Sequence, residues 1–204
     1  MDERVWFSPR RTPPYYPDAV TLRADAGVAE VVAGVDLASR GCSVKDSFAA
    51  LDLTAEGFAV LFDAQWIHRP AGASGASETP PFRTELVTTA GQLLQWAGGN
   101  GPPDVFRPAL LNNPSVRVLG FHDAAGLVGG AVLNEAAGVV GVSNVFAVDD
   151  ADIAAVWAAT VSAAAGHFPG VALVGYEQGD DLAPALAGGF GALGSLRVWS
   201  RGSA

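Results

Sequence analysis

From Pro114 onward, three apolar runs of strand length follow one another with little between them, at residues 116–122, 127–134 and 139–148. Runs of that length bounded by turn residues read as strands, and Asp123–Gly126 joins the first two as a hairpin. An Ala-rich segment follows at once, over 152–168. Its apolar residues Ile153, Val156, Trp157, Val161, Ala164 and Phe168 recur at helical spacing, and Asp149, Asp150 and Asp152 stand where a helix N-terminus welcomes negative charge. Pro169-Gly170 stops that helix. A strand over 171–176, a helix over 181–187 and a strand over 195–199 complete the chain. Such an order confines this half of the protein to a sheet layered with helices.

The same reading extends upstream. From Phe58 to Trp66, the residues Phe58, Val60, Phe62, Ala64 and Trp66 alternate with Ala59, Leu61, Asp63 and Gln65, which predicts a strand. Residues 69–81 form a Gly/Ala/Ser/Pro linker, and the NGPPD run at 100–104 is a second irregular stretch. Between them Leu86, Ala90, Leu93, Leu94 and Ala97 mark a helix that Gly98 and Gly99 should end. Residues 8–17 carry four prolines and are expected to run extended as an arm. Asp25 is placed to cap a helix bearing Val28, Val31, Val32 and Val35. Ser43 and Asp46 suggest a second capped helix, with Val44, Phe48 and Leu51 on one side. The expected organisation is an N-terminal arm and helical extension over 1–57, packed on a core domain over 58–204.

Composition narrows the function classes. With 204 residues, half of them hydrophobic, the chain can bury a large core without cross-links. The net charge of −9 repels phosphate backbones and anionic membranes, so nucleic acid and membrane partners are not expected. No apolar run reaches spanning length. The start Met1-Asp2-Glu3-Arg4 leads into Pro-rich sequence without the apolar core of a signal peptide. Cys42 is the only cysteine. A cytoplasmic location is therefore the expectation.

The order of elements after residue 58, with two short motifs, resembles the GNAT superfamily of N-acetyltransferases. Gly141-Val-Ser-Asn-Val-Phe-Ala-Val148 is similar to the fourth strand of that family, and Gly189-Phe190 falls where its members place a Gly-Phe before the last strand. The resemblance implies an α/β (α+β) fold: a mixed, mostly antiparallel central sheet with helices on both faces. It also implies a cleft where the fourth and fifth strands splay apart and an acyl-pantetheine arm lies. GNAT enzymes then carry an Arg/Gln-x-x-Gly-x-Gly/Ala loop whose backbone amides cradle the coenzyme A diphosphate. In this chain the family's Arg falls on Asp152, and its small residues fall on Ile153, Ala155 and Trp157. Asp149 and Asp150 add charge of the wrong sign. Two like charges a few ångströms apart cost on the order of 1 to 4 kcal/mol between bulk water and a protein surface. The implied diphosphate site is therefore degenerate.

Other positions are candidates for the cleft. The family's proton-donating Tyr falls on Ala185, which leaves Tyr176 on the strand as the nearest phenol, either a proton donor or a packed aromatic. Gln178 stands where a family Asn ends the fifth strand, and Ser143 and Asn144 lie on the fourth. Glu135 ends the third strand as a possible general base, and Trp66 is a possible cleft wall. His68, His122 and His167 lack metal-ligand spacing. Gly189-x-Gly191-x-x-Gly194 follows a helix and opens a strand, the reverse of a dinucleotide-binding turn. Two readings follow. In one, the protein has lost ordinary acetyl-coenzyme A binding, needs no cofactor, and uses its cleft for another small ligand or a protein partner. In the other, it is an acyl-coenzyme A-dependent N-acyltransferase with a non-standard binding mode, for which Arg10 and Arg11 of the arm are the candidate cations.

Overall fold

The computed structural model describes residues 4–13, 16–39, 41–73, 81–101, 105–149 and 151–202. Among them the chain forms ten strands, mostly antiparallel in their pairing, and four α-helices. Its contacts divide it into two compact units, residues 1–66 with 193–204, and residues 67–192. Residues 74–80 of the expected linker, 102–104 of the second irregular stretch, Pro14 and Tyr15 of the arm, and Asp150 lie outside the described residues.

The first unit holds β1 (Val5–Phe7), β2 (Ala19–Thr21), α1 (Val28–Gly34), β3 (Ser43–Asp46), most of β4 (Ala59–Arg69) and most of β10 (Gly191–Ser200). Their order is β1-β2-β3-β10-β4, with β2 and β3 parallel and β3 antiparallel to β10. Two expectations change here. α1 is capped at Gly27, whose N–H donates to Glu30, while Asp25 accepts from Arg23. The helix expected from Ser43 is the strand β3. Its Asp46 side chain is buried and accepts from Thr21 Oγ1 and from the N–H groups of Phe48 and Leu51. That carboxylate organises the turn after a strand, and pairing on both sides of β3 outweighs a local capping pattern. Val44, Leu51, Leu53, Phe58 and Trp199 share the unit's core with Val31 of α1.

The second unit holds β5 (Arg83–Leu86), α2 (Ala90–Asn100), β6 (Val116–His122), β7 (Leu127–Ala136), β8 (Val139–Ala147), α3 (Ile153–His167), β9 (Ala172–Glu177) and α4 (Leu182–Ala187). Its strand order is β9-β8-β7-β6-β5, antiparallel throughout except for β8 with β9. Alternate residues serve opposite faces. Val118 and Val132 meet Leu93, Trp96 and Ala97 of α2, whereas Leu119, Ala131 and Leu133 meet Trp157 and Val161 of α3 and Ala185 of α4. Residues 83–86, expected to lead into the helix, instead form β5, because the Thr89 hydroxyl and the Gln92 side chain cap the helix only at Ala90. Gly98 and Gly99 do not end α2. A Cβ on Gly99 would lie 2.9 Å from the Phe146 ring, so glycine there permits close packing within the helix. Gly130 of β7 does the same for Trp96, whose indole N–H passes over it to donate to the Leu119 carbonyl at 2.8 Å.

Candidate functional site

The parallel pair β8/β9 has three rungs, Val139–Ala172, Val140–Leu173 and Gly141–Val174. Both strands continue past the last rung, β8 to Ala147 and β9 to Glu177. A bulge in β8 accompanies the change. Val132 faces Ser143 but Gly130 faces Phe146, so Asn144 and Val145 together oppose Ala131. Asn144 takes a left-handed φ of 52°, which an Asn tolerates better than most residues. The extra residue reverses the alternation. Val140 and Val142 point to the core beneath α3, while Phe146 points to the core beneath α2 and meets Trp96 edge-on at 5.2 Å. The Asn144 amide oxygen accepts from Asn100 at 3.3 Å, and its nitrogen donates to Ser143 Oγ at 3.1 Å. The bulge is thereby tied to the end of α2, with Ser143 and Asn144 exposed beside it.

Because β8 and β9 run parallel, their C-terminal ends face the same way, and both run into acidic turns. Asp149 and Asp152 follow β8, while Glu177, Asp180 and Asp181 follow from the end of β9. Asp152 is the N-cap of α3. Its carboxylate accepts from Ala154 N at 2.9 Å, and its carbonyl accepts from Val156 N at 3.1 Å. The N-terminus of α3 therefore already carries an anion. Ile153 and Ala155 are half-buried there. Trp157 is not part of that loop: it is buried one turn into the helix, packed edge-on against Phe190 at 5.2 Å. This helix end carries a negative charge and an occupied amide, and the Trp157 indole takes no part in either.

Glu177, which was not singled out above, is the unusual titratable group of this region. It is half-buried, and no hydrogen bond reaches its carboxylate among the described residues. Burial, with the nearby charge of Asp181 adding to it, pushes its pKa up to about 7. A carboxylate with that value exchanges a proton readily near neutrality. A weak signal was available: a lone acid closes an otherwise apolar strand, and alternation from Leu173 through Gly175 carries it toward the α3/α4 face.

The other candidates are dispersed. Tyr176 is half-buried beside Glu177, Gln178 is exposed, and Ala185 is buried. Glu135 is exposed opposite Val140, near the start of β8. That is roughly 20 Å along the strand from Phe146, so Glu135 does not join the group at the strand ends. Trp66 belongs to the first unit, where its indole N–H donates to the Ser47 carbonyl at 2.9 Å. His122 lies 3.4 Å from Glu85, and Cys42 is buried. Among the described residues no three His, Cys, Asp or Glu side chains converge as metal ligands, and no helix is long and apolar enough to cross a membrane.

No family model and no curated protein matches the sequence. Solved structures do match its fold. A GCN5-related N-acetyltransferase from Kribbella flavida superposes with a TM-score of 0.66 at 16% identity, over 91% of this chain and 81% of that one. A conserved protein of unknown function from Staphylococcus epidermidis gives 0.62 at 12% identity, over 86% and 78%. A GCN5-related N-acetyltransferase from Sphaerobacter thermophilus gives 0.55 at 10% identity, over 84% and 63%. The fold is that of the GNAT acetyltransferases.

Proposed function

We propose that this protein uses the GNAT fold as a binding module whose β8/β9 notch takes a small cationic or amine ligand in place of acyl-coenzyme A. The observation that carries the reading is the Asp152 carboxylate on the N-terminus of α3, in the place of a bound diphosphate. Asp149, Asp180 and Asp181 make the surroundings anionic as well. An amine meets complementary charge at the same strand ends, with Glu177 as a proton acceptor. A second reading keeps the chemistry of the fold. The β8/β9 ladder ends after three rungs beside the β8 bulge, and Glu177 is suited to deprotonate an amine, as an N-acyltransferase requires.

Melting temperature separates the two, because a ligand that binds the native state raises it. Polyamines and amino-acid amides should raise it saturably, whereas acetyl-coenzyme A should leave it unchanged. A saturable rise with acetyl-coenzyme A installs the acyltransferase reading instead. Asp152→Ser keeps a capping oxygen and removes the charge. If charge is the obstacle, that variant should gain a measurable coenzyme A shift that the parent lacks.

A further inference from the structure

A cavity of about 180 Å³ opens between β5, the turn joining β6 to β7, and α2. Glu85, Val87, Gln92, Trp96, His122 and Leu127 are among its walls. Strand pairing dictates the arrangement. Arg83 is the register partner of His122 and Glu85 that of Gly120, so alternation brings all four, with Val87, to the face that α2 covers. Gly120 leaves room for the imidazole. A Cβ there would lie 3.0 Å from His122 Nε2 and 3.6 Å from its Cδ2, so that edge of the ring lies over the strand and Nδ1 turns away from it. Nε2 also stands 3.4 Å from one Glu85 oxygen, and Arg83 binds the other. A carboxylate so placed keeps the imidazole proton on Nε2 and leaves Nδ1 as an acceptor. Gln92 supplies the matching donor. Its Oε1 accepts from Thr88 N and Thr89 N, each at 3.0 Å, because the helix start needs an acceptor there. The amide nitrogen then faces away from the cap, and nothing accepts from it among the described residues.

We infer that this cavity binds a compact, neutral cyclic amide. The ligand's N–H donates to His122 Nδ1, its carbonyl accepts from Gln92 Nε2, and its ring rests against Val87, Trp96 and Leu127. Size favours one ring: an apolar cavity of about 150 Å³ holds benzene, so a six-membered ring with one or two substituents fits here. Charge favours neutrality. Arg83 already offsets Glu85, so an ionic ligand would give up its hydration without meeting an unpaired opposite charge. A lactam edge offers one donor beside one acceptor and satisfies both polar groups at once. Trp96 makes a firm floor, because its indole N–H is committed to the Leu119 carbonyl. None of these side chains belongs to the β8/β9 notch, and the cavity does not depend on what that notch binds.

The test titrates 2-pyridone, a planar six-membered lactam, into the isotope-labelled full chain and follows the Trp96 indole N–H by NMR. The signal should move saturably with a dissociation constant on the order of 1 mM, the strength open to so small a ligand. N-methyl-2-pyridone lacks the N–H, and benzoate and benzylamine carry charge; each should bind at least about tenfold more weakly. Gln92→Glu keeps the capping oxygen and removes the donor. His122→Phe keeps a ring over Gly120 and removes the acceptor. Each variant should weaken 2-pyridone at least about tenfold while circular dichroism shows the fold intact. Should His122→Phe fail to fold, Gln92→Glu decides alone. The absence of saturable movement up to about 20 mM 2-pyridone overturns the proposal. So does equal binding of N-methyl-2-pyridone or of either ion, or a folded variant that binds 2-pyridone as the parent does.

Discussion

Glu177 makes stability depend on pH in a direction opposite to that of most carboxylates. Its folded pKa is about 7 against an ordinary value of 4.5. Below about 4.5 it is protonated whether the chain is folded or not, and it costs nothing. Between the two values the folded chain keeps the proton that the unfolded chain has released. Above about 7 the folded chain must hold a poorly solvated anion, so stability falls as pH rises through this window. Glu177→Gln removes the anion at nearly constant shape. It should raise the unfolding free energy by about 2 to 3 kcal/mol at pH 8 and leave it unchanged at pH 4. Urea titrations at the two pH values measure this, and equal curves at pH 8 would contradict the burial inferred for the carboxylate. Gly130 makes a steric prediction of the same kind. A Cβ there would lie 2.7 Å from the Leu119 carbonyl oxygen and would strike the Trp96 indole nitrogen. Gly130→Ala should cost about 3 kcal/mol, read as a loss of melting temperature with the Trp96–Leu119 hydrogen bond broken.

The N-terminal arm is secured as an element by one carboxylate. Asp18 accepts from the N–H groups of Thr12 and Ser43, from the Thr12 hydroxyl, and from Arg11 through both oxygens at 2.9 Å. Burial works against its ionisation, but these donors outweigh it and hold the carboxyl below its ordinary value. The stability it contributes is therefore full above about pH 4 and is lost as pH falls through the lower folded value. Asp18→Asn should cost about 1 to 3 kcal/mol at pH 7 and progressively less below pH 4, measured by chemical denaturation. Asp18 also shows which elements can be read in advance. β1 and β2 are three residues each, too short for a period, and they are held by this clamp and by pairing. β6 and β7 begin at the expected residues because each is long enough to alternate and a Gly-ended turn divides them. β3 was masked by Ser43 and Asp46, which imitate a helix cap. The placement of Asn144 on β8 and of Asp152 at the start of α3 was legible from motif positions. The bulge that reverses the alternation of β8 was not, because it exists only in the pairing with β7. Trp157 was legible as a core residue of α3 from its helical spacing, but its second assignment, to the loop before the helix, does not hold in the finished helix.

At the scale of the whole molecule, charge of one sign dominates: 21 acidic residues stand against 12 basic ones. Salt acts on this surplus in two opposing ways. It screens the ion pairs, but Arg4–Asp25, Arg23–Asp25, Arg83–Glu85 and Arg197–Asp63 are all solvent-accessible and contribute little. It also screens the repulsion among the surplus acids, which acts over many pairs at once and shrinks as the Debye length falls from about 20 Å to about 4 Å. Relief of repulsion should win. Raising sodium chloride from about 20 mM to about 500 mM at pH 8 should lift the melting temperature by about 2 to 5 °C. The gain should fade toward the isoelectric point of about 4.6, where the surplus disappears. Glu177 separates this effect from its own. Its cost comes mainly from burial, which salt hardly relieves, so Glu177→Gln should raise the melting temperature by a similar amount at both salt concentrations. If the substitution's benefit vanishes in high salt, the carboxylate's elevated pKa reflects its acidic neighbours, and the acidic rim governs the strand ends more than burial does.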